Sequence, residues 1–144
     1  MRCTIYSPVV NHQSIQAVYT VLPGWTLRLE GEVNKWSTAS FTNKHESLTF
    51  NSLEFTGPQD TFSKIILGTS SYLWRRNDSP ESIRKEWVRF VGQTQWLIGV
   101  VGNATNISDE LLFESVFAVA RCLNGRVFVN GTDLIIPEPR SPLG

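Results

Sequence analysis

The stretch WLIGVVG, residues 96–102, is apolar at odd and even positions alike. A strand with one wet face alternates apolar and polar residues, whereas one covered on both faces is apolar throughout. Seven residues fall far short of the roughly 20 that a membrane helix needs. The stretch therefore predicts a strand with packing above and below it, and the fold has to supply two covering layers.

Its neighbours set the class. Upstream, Ser79-Pro80 begins a helix whose apolar stripe is Ile83, Trp87, Phe90 and Val91. Before that, Thr56-Gly57-Pro58-Gln59 has the form of a capping box opening a helix, with Phe62, Ile65, Ile66, Thr69, Tyr72 and Leu73 on one face. Downstream, Ser108-Asp109-Glu110 starts a last helix with Leu112, Phe113, Val116, Phe117, Ala120 and Leu123 inward, and Asn124-Gly125 stops it. RVFVNGTDLII, residues 126–136, reads as a hairpin turning at Asn130-Gly131.

The N-terminal half is mostly strand. MRCTIYSPV alternates, with Cys3 and Ile5 on one face. NHQSIQAVYTVLPG predicts a helix capped at Asn11 or Ser14, with Ile15, Val18, Tyr19 and Leu22 inward. WTLRLEGEV alternates again, with Leu27 and Leu29 inward and Arg28 and Glu30 outward. NKWSTASFTNK reads either as a strand anchored by Trp36 and Phe41 or as a polar loop that exposes them. In ESLTFNSLEF the alternation carried by Leu48 and Phe50 slips by one residue at Leu53 and Phe55, which predicts a bulge or break at Asn51-Ser52. Partly segregated strands and helices predict an α+β fold: a mostly antiparallel sheet, about four helices packed on it and a C-terminal β-hairpin. Residues 1–137 are expected to form one domain and residues 138–144 a flexible tail.

Composition narrows the function. The 144 residues carry 13 basic and 13 acidic side chains, and this neutral balance argues against a grip on long nucleic acid through its phosphates. The start of the chain lacks the apolar core of a signal peptide, and no stretch is long enough to span a membrane, so a cytoplasmic protein is expected. The N-x-S/T triplets at Asn77, Asn103, Asn106 and Asn130 are then chance matches. Cys3 and Cys122, with His12 and His45, stand in no metal-ligand spacing, so no metal and no cofactor is expected. The two thiols read as small, buried or half-buried side chains, with a disulfide between them left open, and the two histidines as exposed and inert. Phosphate-loop, dinucleotide, zinc-protease and nucleophile-elbow patterns do not occur, and no catalytic residue is assigned. Gly99 and Gly102 before the last helix suggest close packing more readily than an anion cradle.

The segment YLWRRNDSPESIRKEW, residues 72–87, packs two Trp, one Tyr and four basic residues into 16 positions. On a helix, Arg84, Lys85 and Arg89 face away from Trp87, which predicts a core Trp and a solvated basic face. Arg75 and Arg76 fall where cations favour a helix C-terminus. As a functional site the segment fits a protein partner better than a phosphate, because Trp and Arg are favoured interface anchors. The candidate partner-binding residues are Trp36, Phe41, Trp74, Arg75, Arg76, Arg84 and Arg89. The alternatives are nucleic-acid binding through Arg75, Arg76, Arg84, Lys85 and Arg89, and a small-ligand or enzymatic pocket at Gly99, Gly102 and the start of the last helix.

FSKIILGTSSYLWRR, QTQWLIGVVGN and LFESVFAVARCLNGRVFVNGTDLIIPE, covering roughly the last 85 residues, together resemble small bacterial α+β proteins of the polymorphic-toxin immunity type. The likeness is one of pattern: a helix-Gly-helix centre, an apolar strand ending in glycine, and a final helix running into a hairpin. It implies a non-enzymatic protein that neutralises a cognate toxin by direct binding.

Overall fold

Trp96–Gly102 is the middle strand of a seven-stranded sheet, in a computed structural model that describes residues 2–58, 60–102 and 107–137. In chain order the elements are β1 (Arg2–Ser7), a 3-10 helix (His12–Thr20), β2 (Thr26–Glu32), β3 (Lys35–Asn43), β4 (Glu46–Glu54), α1 (Thr61–Trp74), α2 (Glu81–Gly92), β5 (Trp96–Gly102), α3 (Asp109–Leu123), β6 (Arg126–Val129) and β7 (Asp133–Ile135). The strand order is β2-β3-β4-β5-β1-β6-β7, and each pairing is antiparallel. The α+β class, the antiparallel sheet and the C-terminal hairpin are as expected.

Two apolar layers sandwich the middle of the sheet. On one face Trp96, Ile98 and Val100 join Ile5, Phe41 and Phe50 under the 3-10 helix and α3, which contribute Ile15, Val18, Leu112, Val116 and Val119. On the other face Leu97 and Tyr6 meet Phe62 and Leu73 of α1 and Val91 of α2, with Leu53, Trp87 and Phe90 half-buried around them. Each such aliphatic or aromatic side chain contributes about 1.5–3 kcal/mol on full burial. The sandwich explains why β5 is apolar on both parities.

It also corrects the reading of β4. The strand runs without a bulge from Glu46 to Glu54 and pairs residue for residue with β5, from Leu48 opposite Gly102 to Glu54 opposite Trp96. The apparent slip arises because Leu48 and Phe50 serve one layer and Leu53 the other. The real irregularity lies between β2 and β3, where Glu30 and Gly31 oppose Thr38 and Trp36 and leave Ser37 as the extra residue. Gly31 has φ +106°, and a Cβ there would sit 2.7 Å from the Lys35 carbonyl oxygen.

Trp36 and Phe41 are not surface anchors. Both lie on β3 and are almost wholly buried, at 1% and 0% exposure. The Trp36 indole N–H donates to the His12 carbonyl at 2.9 Å, and Phe41 packs between Tyr19 and Phe50. Alternation along β3 sends Trp36, Ala39 and Phe41 inward while Thr38 and Ser40 stay half-exposed, and the bulge at Ser37 lets Trp36 and Ala39 share a face despite their odd spacing.

Local signals set most element ends. Asn11 caps the 3-10 helix by accepting from the Gln13 N–H, Ser108 caps α3 by accepting from the Leu111 N–H, and left-handed Asn124 stops α3. Asn130 and Gly131, both with positive φ, turn the hairpin. The segment expected to be an α-helix after β1 is wound three residues per turn. Ile15 and Val18 therefore eclipse one another inward, while Tyr19 swings out to 40% exposure. The cap of α1 is Asp60, not Thr56. One carboxylate oxygen accepts from the Ser63 N–H, and the other accepts from the N–H groups of Thr56 and Gly57 and the Thr56 hydroxyl. Gln59, the other half of the expected box, and the tail at 138–144 lie outside the described residues.

Truncating Phe41 to alanine should cost about 3–5 kcal/mol of stability in denaturant titration, as expected for a fully buried aromatic. A near-neutral Phe41→Ala would contradict the placement of β3 against the main core.

Candidate protein-binding face on the α1–α2 hairpin

The periodicity of α1 places Phe62, Thr69 and Leu73 inward, and all three are buried. What remains faces out. Leu67 is 69% exposed, Trp74 43% and Ile83 43%, and Ile65 and Tyr72 are exposed on the flank. Leu67 and Trp74 are two turns apart and share one stripe of α1. Ile65, Tyr72 and Ile83 were expected in the buried stripes and are not there. Tyr72 leans edge-on against Phe128, with ring centroids 6.1 Å apart. Arg84, not Ile83, turns α2 toward α1: its guanidinium donates to the Trp74 carbonyl at 2.7 Å and lies 5.0 Å over the Trp74 ring. Trp87 is half-buried, as its core assignment required in part.

The basic residues divide into two groups. Arg76 is fastened inside the structure. It bonds Asp78 across the turn at 3.0 Å, donates to the Thr132 carbonyl at 2.7 Å and to Asp133 at 3.0 Å, and covers Trp87 at 5.5 Å. The hydrogen bonds to Asp78 and then Asp133 hold its guanidinium well above the usual arginine range. Arg76 was expected to be solvated at a helix end or to anchor a partner; instead it ties α1 to the β6–β7 hairpin. Arg126 makes the matching link from β6. It binds both carboxylate oxygens of Glu86 and sits 4.2 Å over Phe90. That bond, ahead of the opposing effect of desolvation, holds the Glu86 carboxyl below its ordinary value. Arg126, Asp133 and Glu86 carry no local sequence signal, because their partners are 40 or more residues away. Lys85 pairs with Glu81 one turn back.

Arg75 and Arg89 form the second group. Both are exposed and form no ion pair among the described residues. Of the five residues considered for phosphate contact, Arg76, Arg84 and Lys85 are thus already engaged within the protein. A cleft of about 350 Å³ adjoins Leu67, lined by Phe55, Phe62, Ser63, Ile66 and Leu67 with Gly92, Thr94 and Gln95 at the end of α2. The face therefore runs from this cleft of mixed apolar and polar lining, past Leu67, to Trp74 and to the Arg75 cation, which has no ion-pair partner among the described residues.

The other candidate places have structural roles. A Cβ on Gly102 would lie 2.7 Å from Ile107 Cγ2 and 2.8 Å from Leu112 Cδ1, so this glycine permits close packing of β5 on α3. Asn103 to Asn106, which follow Gly102 in the sequence, lie outside the described residues. Cys3 is buried and Cys122 exposed, each with a free thiol, and burial pushes the Cys3 thiol up to about 11. Among the described residues no cluster of three or more His, Cys, Asp or Glu side chains could hold a metal. None of the described helices is long and apolar enough to cross a membrane. His12 is not exposed, as had been expected. It is 5% exposed, its ring contacts those of Trp36 and Trp96 at 5.1 and 4.7 Å, and its Nε2 is buried without a hydrogen-bond partner among the described residues. Desolvation lowers its pKa, against a raising effect from Glu54.

No family model, no curated protein and no solved structure matches the chain.

Two outcomes follow from this geometry. Arg76→Glu should lower the melting temperature clearly, while Arg75→Glu should stay within about 0.5 kcal/mol of wild type, as is usual for an unpaired surface position. Equal melts for the two variants would contradict the division drawn between them. The histidine gives a pH dependence. Its folded pKa lies below its unfolded value near 6.5, so the unfolded chain takes up the proton first and stability falls as the pH drops below that value. Denaturant midpoints at pH 7 and pH 5 should show this loss in wild type and a smaller one in His12→Phe.

Proposed function

We propose that the protein is a non-enzymatic binding protein that recognises a protein partner through the outer face of the α1–α2 hairpin. The observation that carries this reading is the exposure, side by side in the chain, of Trp74 and of Arg75, which forms no ion pair among the described residues, on a helix layer fastened by the internal contacts of Arg76, Arg84 and Arg126. Trp and Arg dominate interface hot spots, and a face ordered before contact avoids part of the entropic cost of binding. Leu67 and the adjoining cleft offer a seat for an apolar side chain of the partner. Lys64, Arg75 and Arg89 leave the face basic, so the partner surface is acidic.

The resemblance to immunity proteins makes this partner a cognate toxin, neutralised by direct binding in the cytoplasm. Two free thiols suit a reducing compartment. The partner is sought in the product of the gene adjacent to the one encoding this chain. Co-expression should protect cells from that product and yield a complex. The variant Trp74→Ala/Arg75→Glu should keep its circular dichroism spectrum and weaken binding by about 30-fold or more, corresponding to at least one lost hot spot of roughly 2 kcal/mol. A folded double variant that still protects at the wild-type level would remove the face from consideration. An adjacent product that is neither toxic nor bound would remove the immunity reading while leaving the face open to another partner.

A further inference from the structure

The free edge of the sheet at β2 is complementary to itself. Leu27 and Leu29 pack half-buried against the main core, whereas Arg28 and Glu30 point to the other face of the sheet and are exposed. Neither charge forms an ion pair among the described residues. The Ser37 hydroxyl donates to the Glu30 carbonyl at 3.2 Å, so the main-chain groups of Glu30 face β3. Those of Leu27 and Leu29, out of phase by one residue, face the open edge. The extra residue of the bulge belongs to β3, which leaves the seven residues of β2 available for pairing. The opposite edge differs: β7 is three residues long, and its Asp133 is tied to Arg76.

We propose that β2 pairs with β2 of a second copy of this chain, antiparallel about a two-fold axis at Leu29, so that the sheet continues from one copy into the next. In this register Leu29 meets its counterpart through reciprocal N–H···O=C bonds. Leu27 then lies opposite Gly31, Thr26 opposite Glu32, and Arg28 opposite Glu30 on both sides of the axis. Charge and the length of pairing select this register over its neighbours. An axis at Arg28 would set the two arginines against each other, and like charges directly opposite destabilise a strand pair; an axis at Glu30 would oppose the two glutamates and, although it sets Arg28 opposite Glu32, would pair only residues 28–32 of β2 in place of 26–32. An axis between residues would place Leu29 on the same face as Arg28 of the other copy. The surface is separate from the α1–α2 face, so the two proposals stand or fall independently.

The test is the association state of the full chain, by sedimentation equilibrium over about 1–100 µM, where a pairing of moderate affinity is read. The wild type should shift from monomer to dimer across this range. Arg28→Glu and Glu30→Arg should each weaken the dimer by about tenfold or more, since each replaces two attractive pairs with two repulsive ones. Arg28→Glu/Glu30→Arg, which exchanges the charges, should restore it. Thermal melts followed by circular dichroism should be alike for all four proteins, because both side chains are exposed. A wild type that stays monomeric throughout overturns the proposal. So does a dimer that neither single reversal weakens, or a charge exchange that binds no more tightly than the single reversals.

Discussion

Everything in this fold answers to the burial of β5 on both faces. Trp96, Ile98 and Val100 need one cover, and Leu97 needs another. An antiparallel sheet with a single apolar layer would leave one of these sets in water. The chain supplies one cover from α1 and α2, which precede β5, and the other from the 3-10 helix near the start of the chain together with α3, which follows β5. The strand order places β1 and β4 on either side of β5, so Tyr6 and Leu53 extend the second core laterally.

The two layers are held by different physics. The layer of α3 and the 3-10 helix is closed by apolar contact, with Val116, Val119, Ala120 and Leu123 turned into the main core. The α1–α2 layer is thinner: Phe62, Leu73 and Val91 are its fully buried apolar side chains. It is fastened at its rim by arginines that combine a carbonyl or carboxylate acceptor with an aromatic ring, as Arg76 does with Trp87, Arg84 with Trp74 and Arg126 with Phe90. A cation over a ring contributes about 0.5–1 kcal/mol at exposed sites, and the planar guanidinium can satisfy both partners at once. A layer held at its edges can leave its outer surface apolar, and Leu67, Trp74 and Ile83 occupy that surface.

Polar groups inside the two cores are arranged around the same need for cover. The Tyr6 hydroxyl meets Thr69 at 2.6 Å beneath α1, and the Trp96 indole donates to Ser52 at 2.7 Å. Both aromatic rings are thereby buried with their polar atoms bonded, which avoids the penalty for an unpaired polar group. His12 departs from this rule, since its Nε2 has no described partner and its ring is held by shape between Trp36 and Trp96.

The amino-acid sequence by itself determined the features that depend on near neighbours. The alternation of β1 and β2, the doubly apolar β5, the Ser108 cap, the left-handed stop at Asn124 and the turn at Asn130-Gly131 all follow from side-chain period or from a local backbone requirement. Only the tertiary structure decided which of two layers a residue serves. A period of two distinguishes the faces of a strand but not whether the second face is covered, so Leu53 looked like a slip in β4. The period along β3 could not be followed through the bulge at Ser37, so Trp36 and Phe41 looked free to face water. The proposed binding surface divides in the same way. The Trp and Arg content of 72–89 marked it as unusual, and Trp74, Arg75 and Arg89 remain exposed. That Arg76 and Arg84 are internal fastenings follows from acceptors brought to them by folding, at Thr132 and Asp133 on the hairpin and at the Trp74 carbonyl. An ion pair across 57 residues leaves no trace in local sequence, because each partner alone is simply a charge on a wet surface.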